Sequence, residues 1–278
     1  MKDYCLGLYE KSMPADITWE ERFCAAREAG FDFIELSVDE SGERLSRLEW
    51  DAQARRDFVK RMADCGGYVK SMCLSAHRKF PIGSGVAETE REGMRIMEAA
   101  IGLARDLGIR IIQLAGYDVY YNETSSVATK ERFLENLGKS AMLAAQNEVI
   151  LALETMENDF MNTIEKAMYY VREVGSPYLQ VYPDMGNVSN GTENVTRDVR
   201  AGRGHIVAAH LKETVPGVFR DMRFGEGAVD FETVVRCLRG EGVRSFTAEF
   251  WWDGKPQWKD TLRHSHDFLA AYLGREKA

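Results

Sequence analysis

Short apolar runs alternate with amphipathic stretches along the whole chain. Each run is rich in aliphatic and β-branched side chains, which is typical of strands buried on both faces. One strand, one helix and two loops need about 30 residues, and the runs recur at about this spacing. Eight strands are predicted: Tyr4–Tyr9, Phe33–Ser37, Val69–Leu74, Ile109–Leu114, Val149–Glu154, Leu179–Tyr182, Ile206–Leu211 and Phe246–Phe250.

The stretches between these runs have the hydrophobic periodicity of helices. Several of them end at a glycine just before the next strand, as at Gly30, Gly108 and Gly242, where a left-handed helix cap is expected. Eight βα units in 278 residues predict a single (β/α)8 TIM barrel, forming one domain over residues 1–278. A doubly wound sheet is the alternative, but no glycine-rich nucleotide turn follows the first strand.

Composition narrows the class of protein. A net charge of −8 argues against a nucleic-acid partner, which would need a basic face. The five cysteines lack metal-type CxxC spacing, so a reduced, cytoplasmic setting is expected. The first ten residues are too short and polar for a signal peptide, and no apolar run is long enough to cross a membrane.

Four predicted strands end in a side chain that binds metal ions in other proteins. Glu154, Asp184, His210 and Glu249 close successive runs and lie 26 to 39 residues apart. The carboxyl ends of parallel barrel strands meet at one rim, so these side chains are expected to converge. Three carboxylates and one imidazole suit a divalent cation such as Mn²⁺, Zn²⁺ or Mg²⁺. A buried ion-pair network is the alternative.

Glu154 and Glu249 are predicted on strands five and eight, three strands apart in a closed barrel. This separation places them on either side of the central cavity, as a two-base proton transfer requires. A metal ion bound to a carbonyl and an adjacent hydroxyl would stabilise the enediolate formed between the two proton transfers. The alternative is that both glutamates are ligands only and another group moves the proton.

Basic residues follow the seventh predicted strand. Lys212, Arg220 and Arg223 lie in or near this loop, and barrel phosphate sites are commonly built after strands seven and eight. A sugar phosphate is therefore favoured over a free sugar, unless these side chains are simply solvated. His77 ends the third strand and is predicted to face the cavity and contact a substrate hydroxyl or phosphate, with a structural role as the alternative.

Longer motifs form a specific pattern over nearly the whole chain. They are Gly7–Lys11, Phe31–Glu40, Arg44–Leu48, Ser71–Arg78, Gln113–Tyr121, Pro183–Asn187, Pro216–Arg220 and Phe224–Gly227. This pattern resembles the L-ribulose-5-phosphate (L-xylulose-5-phosphate) 3-epimerases of ascorbate and pentose catabolism. That family belongs to the xylose-isomerase-like barrels, which include ketose 3-epimerases and apurinic endonucleases.

The resemblance implies one divalent metal ion, with zinc or manganese favoured, held by the four strand-end residues. It also implies that Glu154 and Glu249 form the acid/base pair that inverts C3 of a ketopentose 5-phosphate through a cis-enediolate. Asn187 stands where the free-sugar relatives carry a histidine, and is kept as a substrate-binding candidate. Pro216 stands where they carry an arginine, with Arg220 further on, and this longer basic loop favours a charged substrate.

Other functions remain open at the level of the sequence. An aldose–ketose isomerase uses the same enediolate but moves hydrogen between C1 and C2, and another ketose 3-epimerase would act on a related sugar. An apurinic endonuclease-like enzyme would need a basic face and more metal-type histidines. A sugar-binding barrel without activity would use the four residues as an ion network. The aromatic rim is compatible with a homodimer.

Overall fold

A computed structural model of the protein describes residues 2–275. Eight strands run parallel to one another in one sheet. Their bounds are Cys5–Tyr9 (β1), Phe33–Val38 (β2), Val69–Leu74 (β3), Ile111–Ala115 (β4), Ile150–Glu154 (β5), Leu179–Val181 (β6), Ala209–Leu211 (β7) and Ser245–Ala248 (β8).

The sheet closes on itself between β6 and β7. Hydrogen-bonded neighbours follow the order β6-β5-β4-β3-β2-β1-β8-β7. The two ends are joined by isolated parallel bridges, Val181 with Ile206 and Asp184 with His210. Strand succession around the ring and the helix after nearly every strand confirm the predicted (β/α)8 TIM barrel.

Helices follow the strands and cover the outside of the sheet. Their bounds are Trp19–Glu28 (α1), Gly42–Leu45 (α2), Ala52–Asp64 (α3), Ala87–Leu107 (α4), Val127–Gln146 (α5), Ile164–Val174 (α6), Met185–Gly191 (α7), Val195–Ala201 (α8), Phe231–Gly240 (α9) and Trp258–Leu273 (α10). Short 3-10 turns occupy Glu10–Ser12, Ser46–Glu49 and Ser75–Arg78.

Helix ends are defined by local chemistry. Thr18 and Glu21 form a reciprocal capping box at the start of α1, and Asp51, Thr163 and Asp230 each accept a backbone N–H as N-caps. The glycines expected after α1, α4 and α9 all have positive φ, which confirms their role in ending these helices.

One large hydrophobic core lies between the sheet and the helices, where alternate strand residues such as Leu36 and Leu74 are fully buried. The other strand face points into the barrel, and its upper part is polar. Because Glu35, Ser71 and Tyr182 contact one another there, the barrel interior supports the site with hydrogen bonds rather than with apolar packing.

The structure differs from the sequence prediction in a few elements. The seventh strand begins at Ala209 instead of Ile206, because Ile206 makes only an isolated bridge. The eighth ends at Ala248, so Glu249 follows the strand directly. α7 was not predicted; Asp184 caps it by accepting the Asn187 N–H. Within residues 2–275, no helix has the length and apolar character that crossing a membrane requires.

Candidate active site

The four predicted strand-end residues converge at one rim of the barrel. Glu154, Asp184, His210 and Glu249 are all buried, and one potential ligand atom from each lies within 4.8 Å of the others. His210 Nδ1 is 2.8 Å from Glu154 Oε1 and 3.1 Å from Glu249 Oε2. Two carboxylates thus meet at one imidazole nitrogen, which makes the cluster a candidate metal site.

The backbone fixes these side chains in place. Glu154 is the last residue of β5, and the Glu249 N–H donates to Leu211 O, which ties it to β7. Asp184 is held by its N–H to Thr155 Oγ1 at 2.9 Å and by its capping of α7. Because strands and a helix cap already hold the candidate ligands, metal binding would require little further ordering of these side chains.

Glu35, in the middle of β2, lies beneath His210. Its Oε1 is 2.5 Å from His210 Nε2, and its Oε2 accepts hydrogen bonds from Ser71 and Tyr182 at 2.6 and 2.9 Å. A carboxylate at Nε2 keeps the proton on that nitrogen and leaves Nδ1 for a metal ion. The sequence analysis missed Glu35. The available signal was an acidic residue at an alternate position of an otherwise apolar strand.

The charges of the cluster perturb one another. Burial by itself would lower the pKa of His210, but Glu35 and Glu249 raise it well above its usual range. Burial would raise the pKa of Glu249, but Lys212 and His210 hold it well below its usual range. Without a metal ion, the imidazolium and the ammonium are therefore the positive charges that balance the carboxylates.

The pKa values of the other two carboxyl groups of the cluster are raised, in contrast to that of Glu249. Burial raises the pKa of Asp184 to about 8, against the favourable effect of Lys212. Burial also raises the pKa of Glu154, against its contact with His210. A divalent cation would favour the ionised form of these carboxyl groups, because its charge offsets the repulsion between neighbouring carboxylates.

Unused oxygen atoms fit a metal ion. Glu249 Oε2 is buried and has no aligned hydrogen bond within the described chain, although His210 Nδ1 lies 3.1 Å away. Asp184 Oδ2 is also buried without an aligned hydrogen bond, with the Lys212 ammonium beside it. Buried carboxylate oxygens normally find partners, so these two atoms match the role of cation ligands.

A pocket of about 400 Å³ opens above the cluster, within the usual size range of small-molecule sites. Glu154 and Glu249 both line it. The remaining wall residues come from the loops after five different strands: Arg78, Tyr120, Tyr121, Met156, Glu157, Lys212, Gly217, Val218, Phe219, Arg220, Asp221 and Trp251.

Two of the predicted substrate-binding residues line this pocket. Lys212 is buried and pairs with Asp184, and its Nζ is 3.8 Å from Glu249 Oε2. Arg220 lies over the ring of Trp251, 5.0 Å from its centroid. This distance is that of a cation–π contact, and Arg220 forms no ion pair within residues 2–275.

The other three predicted substrate-binding residues lie elsewhere. Arg223 lines a neighbouring cavity and pairs with Asp253 at 3.1 Å. His77 is buried, and its Nε2 is 3.0 Å from the carbonyl of Gly93 in α4, outside the pocket wall. Asn187 is buried beside the cluster and donates from Nδ2 to Thr155 O at 2.9 Å.

Glu213 holds the loop that carries Arg220. Its carboxylate accepts the N–H groups of Gly225 and Val229 at 2.8 and 3.2 Å. The Gly225 amide is therefore already occupied. Asp230 follows this segment and caps α9 by accepting the Thr233 N–H.

Comparison with known proteins identifies the family. Residues 23–272 match the family described as the xylose isomerase-like TIM barrel. The chain belongs to this family. Within it, L-ribulose-5-phosphate 3-epimerase UlaE of Escherichia coli O157:H7 is 47% identical over 275 residues, or 99% of this chain and 96% of that protein. The protein of the same name from Shigella flexneri is 47% identical over 251 residues, or 90% and 88%.

Solved structures of two sugar 3-epimerases superpose closely on the chain. A D-psicose 3-epimerase, studied in the presence of D-fructose, matches with a TM-score of 0.82 and 16% identity, covering 98% of this chain and 100% of that one. An L-ribulose 3-epimerase matches with a TM-score of 0.80 and 21% identity, covering 97% and 94%. At these identities the likeness concerns the fold. The resemblance to 3-epimerases expected from the motifs is confirmed by the relatives at 47% identity.

Proposed function

We propose that this protein is a metal-dependent isomerase that interconverts L-ribulose 5-phosphate and L-xylulose 5-phosphate by inverting C3. The relatives at 47% identity, which carry the name of this activity and align along almost the whole chain, support the substrate class. The observation that carries the chemistry is the position of Glu154 and Glu249. Both line the pocket, and both contact His210.

The proposed metal ligands are Glu154, Asp184, His210 and Glu249, with zinc or manganese as the ion. A divalent ion held there would polarise the ketose carbonyl and a neighbouring hydroxyl and so favour the enediolate. Metal binding requires neutral imidazole at Nδ1, so protons compete with the ion and its affinity should fall as the pH is lowered.

Glu154 and Glu249 are the proposed acid/base pair. One carboxylate removes the proton from C3, and the other delivers a proton to the opposite face of the same carbon. The roles exchange when the reaction runs backwards. A buried carboxylate suits the removal of a proton because exclusion of water raises its pKa and makes it a stronger base, as burial does for Glu154.

Contacts to the rest of the sugar are also proposed. Lys212 and Arg220 line the pocket and are proposed to hold substrate oxygens, and Asn187 supports the turn at Asp184 beside them. Substrate contacts by Arg223 and His77 stay predictions, since their present partners are Asp253 and Gly93. A reduced, cytoplasmic setting, a role in ascorbate catabolism and a homodimer stay predictions as well.

Deuterium exchange tests the proposed reaction. Incubation of L-ribulose 5-phosphate in ²H₂O with the metal-loaded protein should give L-xylulose 5-phosphate labelled at C3. Label at C1 or C2 would instead identify an aldose–ketose isomerase. If no carbon-bound deuterium enters any ketopentose phosphate, the proposed function is wrong.

Variants of the two glutamates test the proposed pair. Glu154→Gln and Glu249→Gln should each lower kcat by roughly 10²–10⁴-fold, the range of general acid–base catalysis. Glu49→Gln is the matched control, because Glu49 is an exposed carboxylate that pairs with Arg95 outside the pocket. Equal effects of all three substitutions would remove the special role of the pair.

A further inference from the structure

Arg78 is a third basic residue of the pocket, besides Lys212 and Arg220. It ends the 3-10 turn after β3 and lines the pocket together with Glu154, Glu249 and Lys212. Its Nε is buried and has no hydrogen-bond partner, and its guanidinium forms no ion pair within residues 2–275. A largely buried guanidinium normally has a carboxylate or another acceptor beside it, so Arg78 is prepared for a partner that the chain does not supply.

Two of the other basic residues near the pocket are already paired. Lys212 pairs with Asp184, and Arg223 pairs with Asp253 in the neighbouring cavity. Arg220 lies over Trp251, and its side chain is exposed. Among the cations of the pocket that have no ion pair within residues 2–275, Arg78 is therefore the more buried one.

The surroundings of Arg78 suit an anion. Tyr120 and Tyr121 line the same pocket. Tyr117 and Tyr121 are near enough to Arg78 for its positive charge to act on the pKa of their hydroxyls in the downward direction. Tyr117 donates to Glu157 and Tyr121 donates to Glu40, so both nearby carboxylates already have hydrogen-bond donors of their own. Neither carboxylate forms an ion pair with Arg78 within residues 2–275.

The position of Arg78 in the barrel separates it from the basic loop after β7. β3 and β7 are four strands apart in either direction around the closed sheet, so Arg78 and the loop that carries Arg220 begin on opposite sides of the ring. A ketopentose 5-phosphate that lies with its middle carbons over the glutamates would point C1 to one side and the phosphate to the other. Arg78 and Arg220 are therefore two separate candidates for the phosphate contact.

We propose that Arg78 holds the phosphate group of the sugar substrate and sets the preference for the phosphorylated over the free ketose. The proposal rests on the proposed function for the identity of the substrate. The planar guanidinium matches two phosphate oxygens at once, and a dianion is the partner that best compensates a desolvated cation. Binding energy from this remote group would be used to position C3 between the glutamates.

Kinetics with two substrates test this role. In the metal-loaded protein, Arg78→Gln should lower kcat/KM for L-ribulose 5-phosphate by roughly 100-fold, as expected for loss of a buried charge-assisted contact. Turnover of free L-ribulose should change by less than about threefold, because it lacks the phosphate. The kcat/KM of Arg78→Lys for L-ribulose 5-phosphate should lie between those of Arg78→Gln and the unsubstituted protein. An ammonium keeps the positive charge but lacks the paired N–H donors of the guanidinium.

Lys79→Gln is the matched control. It removes one positive charge from the adjacent residue, whose side chain is exposed and lies over Phe80 outside the pocket. Both substrates should be turned over as before. Equal losses on the phosphorylated and the free sugar in Arg78→Gln would overturn the proposal, and so would a phosphate-selective loss in Arg220→Gln without one in Arg78→Gln.

Direct binding of inorganic phosphate separates this proposal from the proposed function. Calorimetry should detect phosphate binding to the unsubstituted protein and to Lys79→Gln, with loss of binding in Arg78→Gln and partial retention in Arg78→Lys. This result would support an anion site at Arg78 even if no ketose were epimerised. Phosphate binding that is unchanged in a folded Arg78→Gln variant would refute the site whatever the enzyme activity.

Discussion

A buried carboxylate below a proposed metal ligand, His210, sets the orientation of its ring. Glu35 is fully buried, with one oxygen 2.5 Å from His210 Nε2 and the other bonded by Ser71 and Tyr182. Its partners lie in β3, in β7 and directly after β6, so it fixes the ring of His210 relative to several parts of the barrel. An amide at this position would keep the shape but lose the charge that favours a proton on Nε2.

Glu35→Gln is therefore expected to weaken metal binding by roughly 10–100-fold, the usual effect of removing an outer-shell partner. Competition with a chromophoric chelator measures the affinity without reference to activity. Glu49→Gln, on an exposed side chain, serves as the control. An unchanged affinity in folded Glu35→Gln would contradict the assigned role.

His77 makes the stability of the protein depend on pH. Burial lowers the pKa of His77 to about 4, against the hydrogen bond to Gly93 O. The unfolded chain has a histidine pKa near 6.5, so between these values the unfolded state binds more protons than the folded state. The stabilisation is complete above about pH 6.5 and is lost as the pH falls towards 4.

Removing His77 should flatten this part of the stability profile. Between pH 7 and pH 4.5 the His77→Gln variant is expected to lose about 2–3 kcal/mol less stability than the unsubstituted protein. Urea unfolding in the presence of a chelator measures the difference without interference from bound metal. The exposed His264→Gln variant should follow the unsubstituted profile; parallel profiles for His77→Gln would show that this residue is not the acid-sensitive group.

At the scale of single residues, the sequence was informative where chemistry coincides with a strand end. Glu154, Asp184, His210 and Glu249 could be predicted to converge because parallel strands bring their carboxyl ends together. Glu35 could not, because its partner lies across the barrel and depends on how the strands tilt and twist. The open guanidinium of Arg78 could not be predicted either, since it depends on which acids the fold places beside it.

Glycines inside two long helices mark places where an element is less stable than it could be. Gly102 in α4 and Gly138 in α5 have no atom within 4 Å of an added Cβ. Alanine has a better helix propensity by roughly 0.5–1 kcal/mol. Gly116, just after β4, is the opposite case, because an added Cβ would lie 2.4 Å from the backbone oxygen of Glu154.

Gly102→Ala and Gly138→Ala should thus each raise stability by about 0.5–1 kcal/mol, whereas Gly116→Ala should lower it by about 1–3 kcal/mol through overpacking. Thermal unfolding of the three variants measures these changes. Activity should fall only in Gly116→Ala, because the residue it displaces belongs to the site. Destabilisation by Gly102→Ala would mean that α4 packs more closely than its open side indicates.

Elements were predictable to the extent that their ends are encoded locally. α9 was predicted with its observed bounds, since Asp230 and Phe231 give a cap followed by an apolar position. α7 is only seven residues long and lacks an amphipathic pattern, so its sole signal was the cap at Asp184. The first half of the seventh predicted strand does not form a strand, because the neighbour it would pair with, β6, spans only three residues.

The barrel has a weakly paired junction between β6 and β7, where the two ends of the sheet meet; this junction is its seam. β6 and β7 each span three residues and are joined by isolated bridges, whereas β2 and β3 are joined by five residue pairs, from Ile34 to Val38. One of the two bridges joins Asp184 to His210, which are also proposed metal ligands. A bound ion would therefore connect the two ends of the sheet.

Metal removal should loosen this seam more than the rest of the barrel. With free metal at about 100 times its dissociation constant, binding contributes about 2.7 kcal/mol to stability, which a chelator would remove. Hydrogen exchange measures where protection is lost. Faster exchange is expected at 179–182 and 206–211, with little change at 69–74; uniform acceleration over all strands would contradict a local role at the seam.

The eight-strand count was enough to predict closure of the barrel, but the sequence could not locate its least paired junction. That property depends on strand lengths that differ from the apolar runs by a few residues. The expectation of one domain over residues 1–278 stays a prediction, although all eight strands form a single sheet.

The anchoring of the loop after β7 has an evolutionary consequence. Glu213 binds Gly225 and Val229, and Ala228 N–H donates to Thr214 O, so both ends of the loop are fixed close to the strand. Residues 215–224 then form a replaceable cassette, because a segment of another length can join the same two anchored ends. Substrate preference in such a barrel can change through this cassette while the strands and the carboxylates below it stay as they are.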